Sequence, residues 1–225
     1  MTEPVASGGG GMVEVEPPGL PDGKGPFLEA AGKVVIEVES LPAAAGWTLK
    51  TEHAGYTGTG YYEWTGGDAG QGGSGLLSYP VQITTEGEYQ LYVYSHQAAG
   101  AIWDMANDLF LSVPSALPVI GYADMTAAHK TYVGSARDHE ITNRDERAAL
   151  RMGLVGDWRF WVYTEEPRRV VRVKLTKGLH NLELSGRSQG FAVDRIVLHL
   201  EPGFEMPDAV LSQQWAALAP SLRAP

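Results

Sequence analysis

Residues 77–94 decide the fold and read LSYPVQITTEGEYQLYVY. Every second residue from 77 to 83 is apolar, which is the period of a β-strand with one buried face. Residues 86–88, Glu-Gly-Glu, interrupt this pattern, and the aromatic and branched residues of 89–94 follow. Such side chains favour strands. The stretch therefore predicts two strands joined by a short turn.

The same period recurs along the chain. It is found at residues 34–38, 109–113, 158–162, 171–175, 182–184 and 191–200. Glycine (28 residues) and proline (14 residues) supply the turns between these segments. Many short strands with such turns predict an all-β sandwich or barrel.

Three regions differ in composition. Residues 1–33 are rich in Gly and Pro, which is typical of an extended arm, and we expect this arm to join the domain to a larger assembly or to a second copy of the chain. Residues 34–200 carry the strands, with a long insertion at about 114–157. Inside the insertion, Asn143 is a candidate helix cap for residues 144–152. Residues 201–225 form a tail with a short helix predicted at 208–218.

Several functional classes are disfavoured by composition and spacing. A net charge of −10 argues against a nucleic-acid partner. There is no cysteine, and the six histidines show no H-E-x-x-H spacing. No apolar run is long enough to predict a membrane span, and the N-terminal residues do not read as a signal peptide. We expect an extracellular or particle-surface location, with the export route open.

A cluster of acidic residues is the first candidate site. Glu37 and Glu39 lie two residues apart, so on a strand they share a face. Asp194 joins them if the first and last strands pair. Three carboxylates together suit Ca²⁺, which prefers several oxygen ligands. From spacing alone, two surface glutamates and an unrelated aspartate are an equally simple interpretation.

Loop residues supply the other candidates. Residues 55–67 hold three tyrosines and a tryptophan, whose rings could stack on a ligand or enter the core. Residues 103–108, Trp-Asp-Met-Ala-Asn-Asp, could be a polar site or a turn bonded to its own backbone. Arg187 lies between two glycines and could clamp a ligand or remain a solvated turn residue.

Six pieces of the chain, taken in order, resemble the galactose-binding-like carbohydrate-binding modules, especially families 6 and 35. They are residues 36–39 (IEVE), 60–64 (GYYEW), 87–91 (GEYQL), 107–111 (NDLFL), 178–184 (GLHNLEL) and 186–196 (GRSQGFAVDRI). The resemblance spans about 165 residues of the chain. It implies a jelly-roll β-sandwich that binds polysaccharide or a cell-surface glycan and catalyses nothing.

The resemblance also implies residue roles. A structural Ca²⁺ would be held by Glu37, Glu39 and Asp194 between the first and last strands. Sugar would be bound by loops at one end of the sandwich, with either Trp158 or Trp161 as a stacking partner. The positions implied for the sugar site are Tyr61, Trp103, Asp104, Asn107, Asp108, Trp161 and Arg187.

Two other functions stay open on the sequence. The chain could be a structural spike or appendage subunit of a virus-like particle, with or without glycan binding. It could also be a glycoside hydrolase or lyase, in which case Glu63 and Asp104 are the carboxyl pair to examine.

Overall fold

A computed structural model describes residues 22–69, 73–98, 106–115, 119–123, 139–141, 148–154, 156–164, 169–200 and 214–225. These residues form fourteen strands and one 3₁₀ turn. The strands are β1 (Phe27–Leu28), β2 (Lys33–Glu37), β3 (Trp47–Lys50), β4 (Tyr61–Trp64), β5 (Ser74–Ile83), β6 (Gly87–Gln97), β7 (Asp108–Ser112), β8 (Val119–Ala123), β9 (His139–Ile141), β10 (Ala148–Leu154), β11 (Asp157–Thr164), β12 (Arg169–Leu175), β13 (Gly178–Gly186) and β14 (Phe191–Leu200). The 3₁₀ turn, Val38–Ser40, follows β2 directly.

The pairing is antiparallel except for the short strand β1, which runs parallel to β5. The main order is β1-β5-β13-β7-β10-β11-β12-β6-β14-β4-β3, and β2 also pairs with β14. This continuous sheet curls over so that β5, β13 and β7 face β2, β6 and β14 across a shared apolar interior. The prediction of an all-β sandwich is confirmed.

Apolar side chains pack in two layers. The central core lies between the two halves of the sandwich and includes Tyr79, Leu91, Leu184 and Ile196. A second layer, here called the outer cluster, covers the opposite side of β6 and β14. Its buried members are Val35, Tyr61, Tyr92, Tyr94, Trp158, Phe160, Ala192, Val197 and Trp215. Both faces of β6 and β14 are therefore buried, which explains the apolar runs at residues 91–94 of β6 and 196–198 of β14.

The helix predicted at residues 144–152 is wrong where the structure describes it. Residues 148–154 form β10, which pairs with β7 on one side and β11 on the other. Hydrogen bonds to two neighbouring strands outweigh the weak helical preference of an Ala- and Arg-rich segment. Residues 142–147, with the cap at Asn143, lie outside the described residues. Part of the expected insertion thus belongs to the main sheet.

The two ends of the chain meet on the sandwich. Residues 22–33 include β1, and Phe27 forms an antiparallel bridge with Arg223. The Gly25 N–H donates to the Ala224 carbonyl at 2.8 Å, and the Leu28 N–H donates to the Leu222 carbonyl at 2.8 Å. Residues 214–216 form the described part of the C-terminal helix. Residues 1–21 and 201–213, which hold the rest of the predicted arm and helix, lie outside the described residues.

Candidate functional site

A β-bulge in β14 positions Asp194. Val193 pairs with Ser95 and Arg195 pairs with Tyr94, so Asp194 is the extra residue opposite two consecutive residues of β6. A bulge bends its strand and redirects side chains. Asp194 is fully buried and points toward the end of β2.

The bulge also reverses which side chains face inward. Val193 lies in the central core before the bulge, and Ile196 and Leu198 lie there after it. Val197 therefore faces the outer cluster, as does Arg195. One inserted residue thus sends an acid to the edge of the sandwich and the next residue, a cation, to its outer side.

Glu37, Glu39 and Asp194 converge as the family resemblance implied. Each offers one carboxylate oxygen, and these oxygens lie within 4.8 Å of one another. The route differs from the expected one, because β2 ends at Glu37 and Glu39 belongs to the 3₁₀ turn rather than to the same strand. Pairing of Glu37 with Arg195 brings the turn beside the bulge.

A loop covers the acidic residues with hydrogen-bond donors. The Thr57 N–H donates to Asp194 Oδ2 at 2.8 Å, and the Thr59 N–H donates to Glu39 Oε1 at 2.7 Å. Between them, Gly58 has φ +61°, and a Cβ there would overlap Glu39 Oε1. Only glycine fits this position.

The hydroxyl of Thr57 lies within hydrogen-bond distance of two carboxylates. Its Oγ1 lies 2.8 Å from Glu37 Oε2 and 2.8 Å from Asp194 Oδ2. A hydroxyl has one proton to donate, so it serves only one of the two carboxylates. The second contact requires a protonated carboxyl or a nearby cation.

Two carboxylate oxygens of the cluster are buried with no hydrogen-bond partner among the described residues. They are Asp194 Oδ1 and Glu39 Oε2. Burial raises the pKa of Glu39 to about 7. Burial, and then the neighbouring Glu37 carboxylate, raise the pKa of Asp194 well above its usual range. Both shifts say that these acids resist ionisation unless a positive charge joins them.

Arg195 supplies part of that charge. Its guanidinium forms an ion pair with Glu37, and both side chains are completely buried. The cluster holds three carboxylates and Arg195 pairs with one of them, so negative charge remains in excess when all three are ionised. The cluster could hold a metal ion, because its unpartnered oxygens and surplus charge are what a divalent cation satisfies.

Loops from three of the family-like pieces meet at one end of the sandwich. The Ser188 N–H donates to the Asp108 carbonyl at 3.2 Å, and the Gly190 N–H donates to the Trp64 carbonyl at 2.8 Å. Asp108 forms an ion pair with Arg187 and accepts a hydrogen bond from the Ser188 hydroxyl. The structure therefore brings Asp108 and Arg187 together, beside Asn107.

These loop residues differ in exposure. Asn107 and Asp108 are each 3% exposed, whereas the side chain of Arg187 is 36% exposed. The guanidinium also lies 5.7 Å from the centre of the Phe110 ring. Arg187 is thus anchored on one side and open to solvent on the other. Trp103 and Asp104 lie outside the described residues.

The aromatic residues at 55–67 point inward more than the sequence suggested. Tyr61 is fully buried in the outer cluster, and Trp64 is 2% exposed in the central core. Trp158 is buried as well and donates from its ring nitrogen to the His53 carbonyl at 3.2 Å. Trp161 lies in β11, and its side chain is outside what the structure describes. Glu63, one acid of the possible glycosidase pair, forms an ion pair with Lys50 at 2.7 Å.

Sequence reasoning missed a pair of stacked histidines under the same loop. His53 and His96 have ring centres 4.3 Å apart, and His96 also contacts Trp158. Burial, and then His53, lower the pKa of His96 to about 4. No short motif signals this pair, because the two residues come from a loop and a strand. Arg195 lies within the motif at residues 186–196, but the motif does not predict its burial, which depends on the bulge.

No protein-family model and no curated protein matches the chain. Solved structures do align with it. A GH26-CBM35 β-(1,4)-mannanase of Podospora anserina has a TM-score of 0.47 and 16% identity over 78% of this chain, which spans 29% of the mannanase. A family 35 carbohydrate-binding module of Clostridium thermocellum has a TM-score of 0.45 and 13% identity, covering 75% of this chain and 98% of that module.

A third aligned structure is the module CBM6cm-2 of Cellvibrio mixtus lichenase 5A in complex with cellotriose. It has a TM-score of 0.41 and 15% identity, covering 74% of this chain and 95% of that module. Families 35 and 6 are the two that the sequence motifs resemble. At these scores the likeness concerns the general arrangement of strands. In the described part of the chain, no helix has the length and apolar character needed to cross a membrane.

Proposed function

We propose that the chain is a non-catalytic glycan-binding module with a structural calcium ion. The observation that supports it most is the convergence of Glu37, Glu39 and Asp194. Sequence motifs alone implied this set through a family resemblance, although Asp194 lies far from the two glutamates along the chain. Their meeting in a buried cluster with unpartnered oxygens is the arrangement that the resemblance requires.

Calcium suits the cluster better than a transition metal. All three candidate ligands are carboxylates, and neither histidine nor cysteine belongs to the set. Hard oxygen ligands favour Ca²⁺ or Mg²⁺, and Ca²⁺ tolerates the irregular geometry of a strand end, a turn and a bulge. The ion would provide positive charge for the buried acids and tie β2 to β14. Thr57 and Thr59 would keep the carboxylates oriented through their N–H groups.

The glycan would bind at the loop end of the sandwich. We assign hydrogen bonding to sugar hydroxyls to Arg187, with Asp108 holding the guanidinium in place and the nearly buried Asn107 beside it. Trp103, Asp104 and Trp161 complete the proposed site from the sequence pattern. Tyr61, buried below the loop at 51–60, would support that loop rather than touch sugar. An exposed face of a paired guanidinium can still donate to a hydroxyl pair.

Glycan screening followed by calorimetry tests this function. We expect a hit on a polysaccharide panel, and at least a tenfold weaker affinity in the Arg187→Gln and Trp103→Ala variants. Arg223→Gln is the control, because Arg223 bonds the Lys24 and Gly25 carbonyls beside β1, which pairs with the end of β5 far from the loop end. Full affinity in both site variants, or no binding across a wide panel, would contradict the proposal.

Absence of catalysis has its own test. Purified protein incubated with each bound polysaccharide should release neither reducing ends nor unsaturated products. Product formation that disappears in a Glu63→Gln variant would instead support a glycoside hydrolase or lyase. Glu63 is held by Lys50, which argues for a structural role.

We also propose that the chain works at a cell or particle surface as part of a larger assembly, attached through its N-terminal arm. The pairing of residues 25–28 with 222–224 favours this, because it fixes the place at which the arm joins the domain. Light scattering on the full chain and on a chain lacking residues 1–21 tests it. Equal monomeric masses for both, with no partner retained, would contradict attachment through the arm.

A further inference from the structure

Arg195 contacts two parts of the molecule, the acidic cluster and the C-terminal segment. Its Nη2 bonds Glu37 of the acidic cluster. Its Nη1 donates to three backbone carbonyls of the C-terminal segment, those of Trp215 at 2.8 Å, Ala216 at 2.9 Å and Leu218 at 2.9 Å. The residue is completely buried, so the same guanidinium belongs to both environments at once.

Residues 214–225, here called the strap, lie across the outer cluster. Trp215 is 9% exposed and packs edge-on against Tyr92, with ring centres 4.0 Å apart. Farther along, the Ser221 N–H donates to the Val35 carbonyl at 2.9 Å, and the Val35 N–H donates to the Ser221 hydroxyl at 2.9 Å. Val35 lies on β2, two residues before Glu37, so the strap also braces the strand that carries this acid.

We propose that Arg195 couples cation binding at the acidic cluster to docking of the strap, so that each favours the other. The inference rests on the proposed calcium ion. With the strap docked, three carbonyls orient the guanidinium, which in turn holds one oxygen of Glu37 and leaves the other facing Thr57 and Asp194. With the strap released, Arg195 loses three of its acceptors and Glu37 loses its orientation.

Arg195 could also couple calcium binding and strap docking with the opposite sign, so that each disfavours the other. Both Arg195 and a cation are attracted to the Glu37 carboxylate. Release of the strap could therefore strengthen calcium binding, if the guanidinium moved away and left this carboxylate to the ion. Orientation should prevail because Arg195 pairs with Glu37, one of the three carboxylates, and a cation is needed for the others even with Arg195 in place. Groups that orient a metal-binding carboxylate typically change metal affinity by about 10- to 100-fold. Arg195 is therefore assigned as a positioning residue.

Calcium calorimetry on the full chain is the first test. The Trp215→Ala variant, which weakens strap docking, should bind calcium about tenfold more weakly than the wild type. Leu222→Ala is the matched control, because Leu222 lies in the same strap but is 72% exposed. It should bind calcium as the wild type does.

Hydrogen exchange on the wild type provides a second readout that requires no variant. The amides of Ser221 and Ala224 donate to Val35 and Pro26, so their exchange reports strap release. Because coupling is reciprocal, calcium should slow their exchange by about the same tenfold factor. A merely structural role for Arg195 would leave the exchange of these two amides unchanged while calcium slowed the amides of the central core.

The outcomes separate the two proposals. Weaker calcium binding in Trp215→Ala together with slower strap exchange supports the coupling. Unchanged or tighter calcium binding in a folded Trp215→Ala variant overturns the coupling and leaves the calcium site standing. If that variant does not fold, strap exchange that ignores calcium overturns the coupling by itself. No calcium binding by the wild type overturns both, whereas glycan binding is measured independently.

Discussion

Two buried acidic sites in this molecule each contain an arginine from residues 186–196, yet the carboxylates in them have different surroundings. At the loop end, Asp108 is paired through both oxygens, one with Arg187 and one with the Ser188 hydroxyl. In the acidic cluster, Asp194 keeps one buried oxygen without a partner among the described residues. The first acid is satisfied by the protein itself. The second acid requires something further, either a proton or a cation.

This difference assigns different work to the two regions. A carboxylate satisfied by neighbouring side chains fixes a loop and leaves the outward face of Arg187 free for a ligand. Several buried carboxylates without partners instead raise the free energy of the folded state, because burying charge without compensation is costly. A bound cation would remove this cost. The loop end is therefore the better place for a neutral, hydroxyl-rich ligand, and the acidic cluster for a cation.

The largest effect is expected from Glu37→Gln. Within the described part of the chain, the change removes the one carboxylate paired with the fully buried Arg195. Breaking such a pair should reduce the free energy of unfolding by about 3–5 kcal/mol, measured by denaturant unfolding. Glu63→Gln is the control, because Glu63 pairs with the partly exposed Lys50, and such a pair contributes only about 0.2–1 kcal/mol. Similar losses in the two variants would remove the distinction between the buried and the partly exposed pair.

Removal of calcium should have the next largest effect. An ion that binds only the folded chain stabilises it by about 2.7 kcal/mol at a concentration 100 times its Kd. A chelator should therefore lower the melting temperature of the wild type, and it should have no effect on Asp194→Asn. Arg187→Gln, at the loop end, should keep the full response. A melting temperature that does not change with chelator, with no metal found by elemental analysis, would contradict the calcium site. Protons alone would then neutralise the buried carboxylates.

Arg187→Gln should cost less than either change at the cluster. It leaves Asp108 with a buried oxygen that has lost its charged partner, which costs about 1–3 kcal/mol at most. We expect a value near the lower limit, because Ser188 still donates to the other oxygen and Arg187 is partly exposed. Denaturant unfolding measures this loss. A loss as large as that of Glu37→Gln would show that the loop end is as tightly interdependent as the cluster.

The smallest effect concerns pH and the loop that covers the cluster. His96 has a folded pKa of about 4, below its usual 6.5, so the stability that depends on neutral His96 is present above 6.5 and is lost as pH falls toward 4. Between pH 7 and 6 this loss should stay under about 1 kcal/mol. His96→Phe should lack it, since phenylalanine keeps the stack on His53 without a titrating nitrogen.

That comparison is best made as wild type minus His96→Phe, in saturating calcium. Glu39 has a raised pKa and, without metal, contributes stability that is lost as pH rises from 4.5 through about 7, which is the opposite sign. Calcium keeps the cluster ionised and removes that contribution. The nearby acids Asp157 and Glu63 act on His96 in both states of the cluster. Identical pH profiles for the two proteins would rule out His96 as their cause.

Much of the fold could be predicted from the sequence, because a strand with one buried face has apolar residues at every second position. The limits of β14 at residues 191–200 agree with the structure for this reason, whereas the turn predicted at 86–88 lies at 84–86, because Gly87 and Glu88 already belong to β6. β10 did not follow, because its pairing with β7 and β11 depends on distant residues. The acidic set was also open to prediction, but only through a family resemblance, since spacing alone allowed two ordinary surface glutamates.

By itself, the sequence determined an all-β chain, the residue types of an oxygen-lined cation site and the loops with a polar end. Only the tertiary structure decided how these residues are used. The inserted residue Asp194 reverses which face of β14 each later side chain points to. No local sequence pattern marks this bulge, because it arises from the pairing with β6. The same shift buries Arg195 between Glu37 and the strap. Burial then separates the acid that is satisfied from the acids that need a cation, because the cost of a charge depends on what surrounds it in space rather than along the chain.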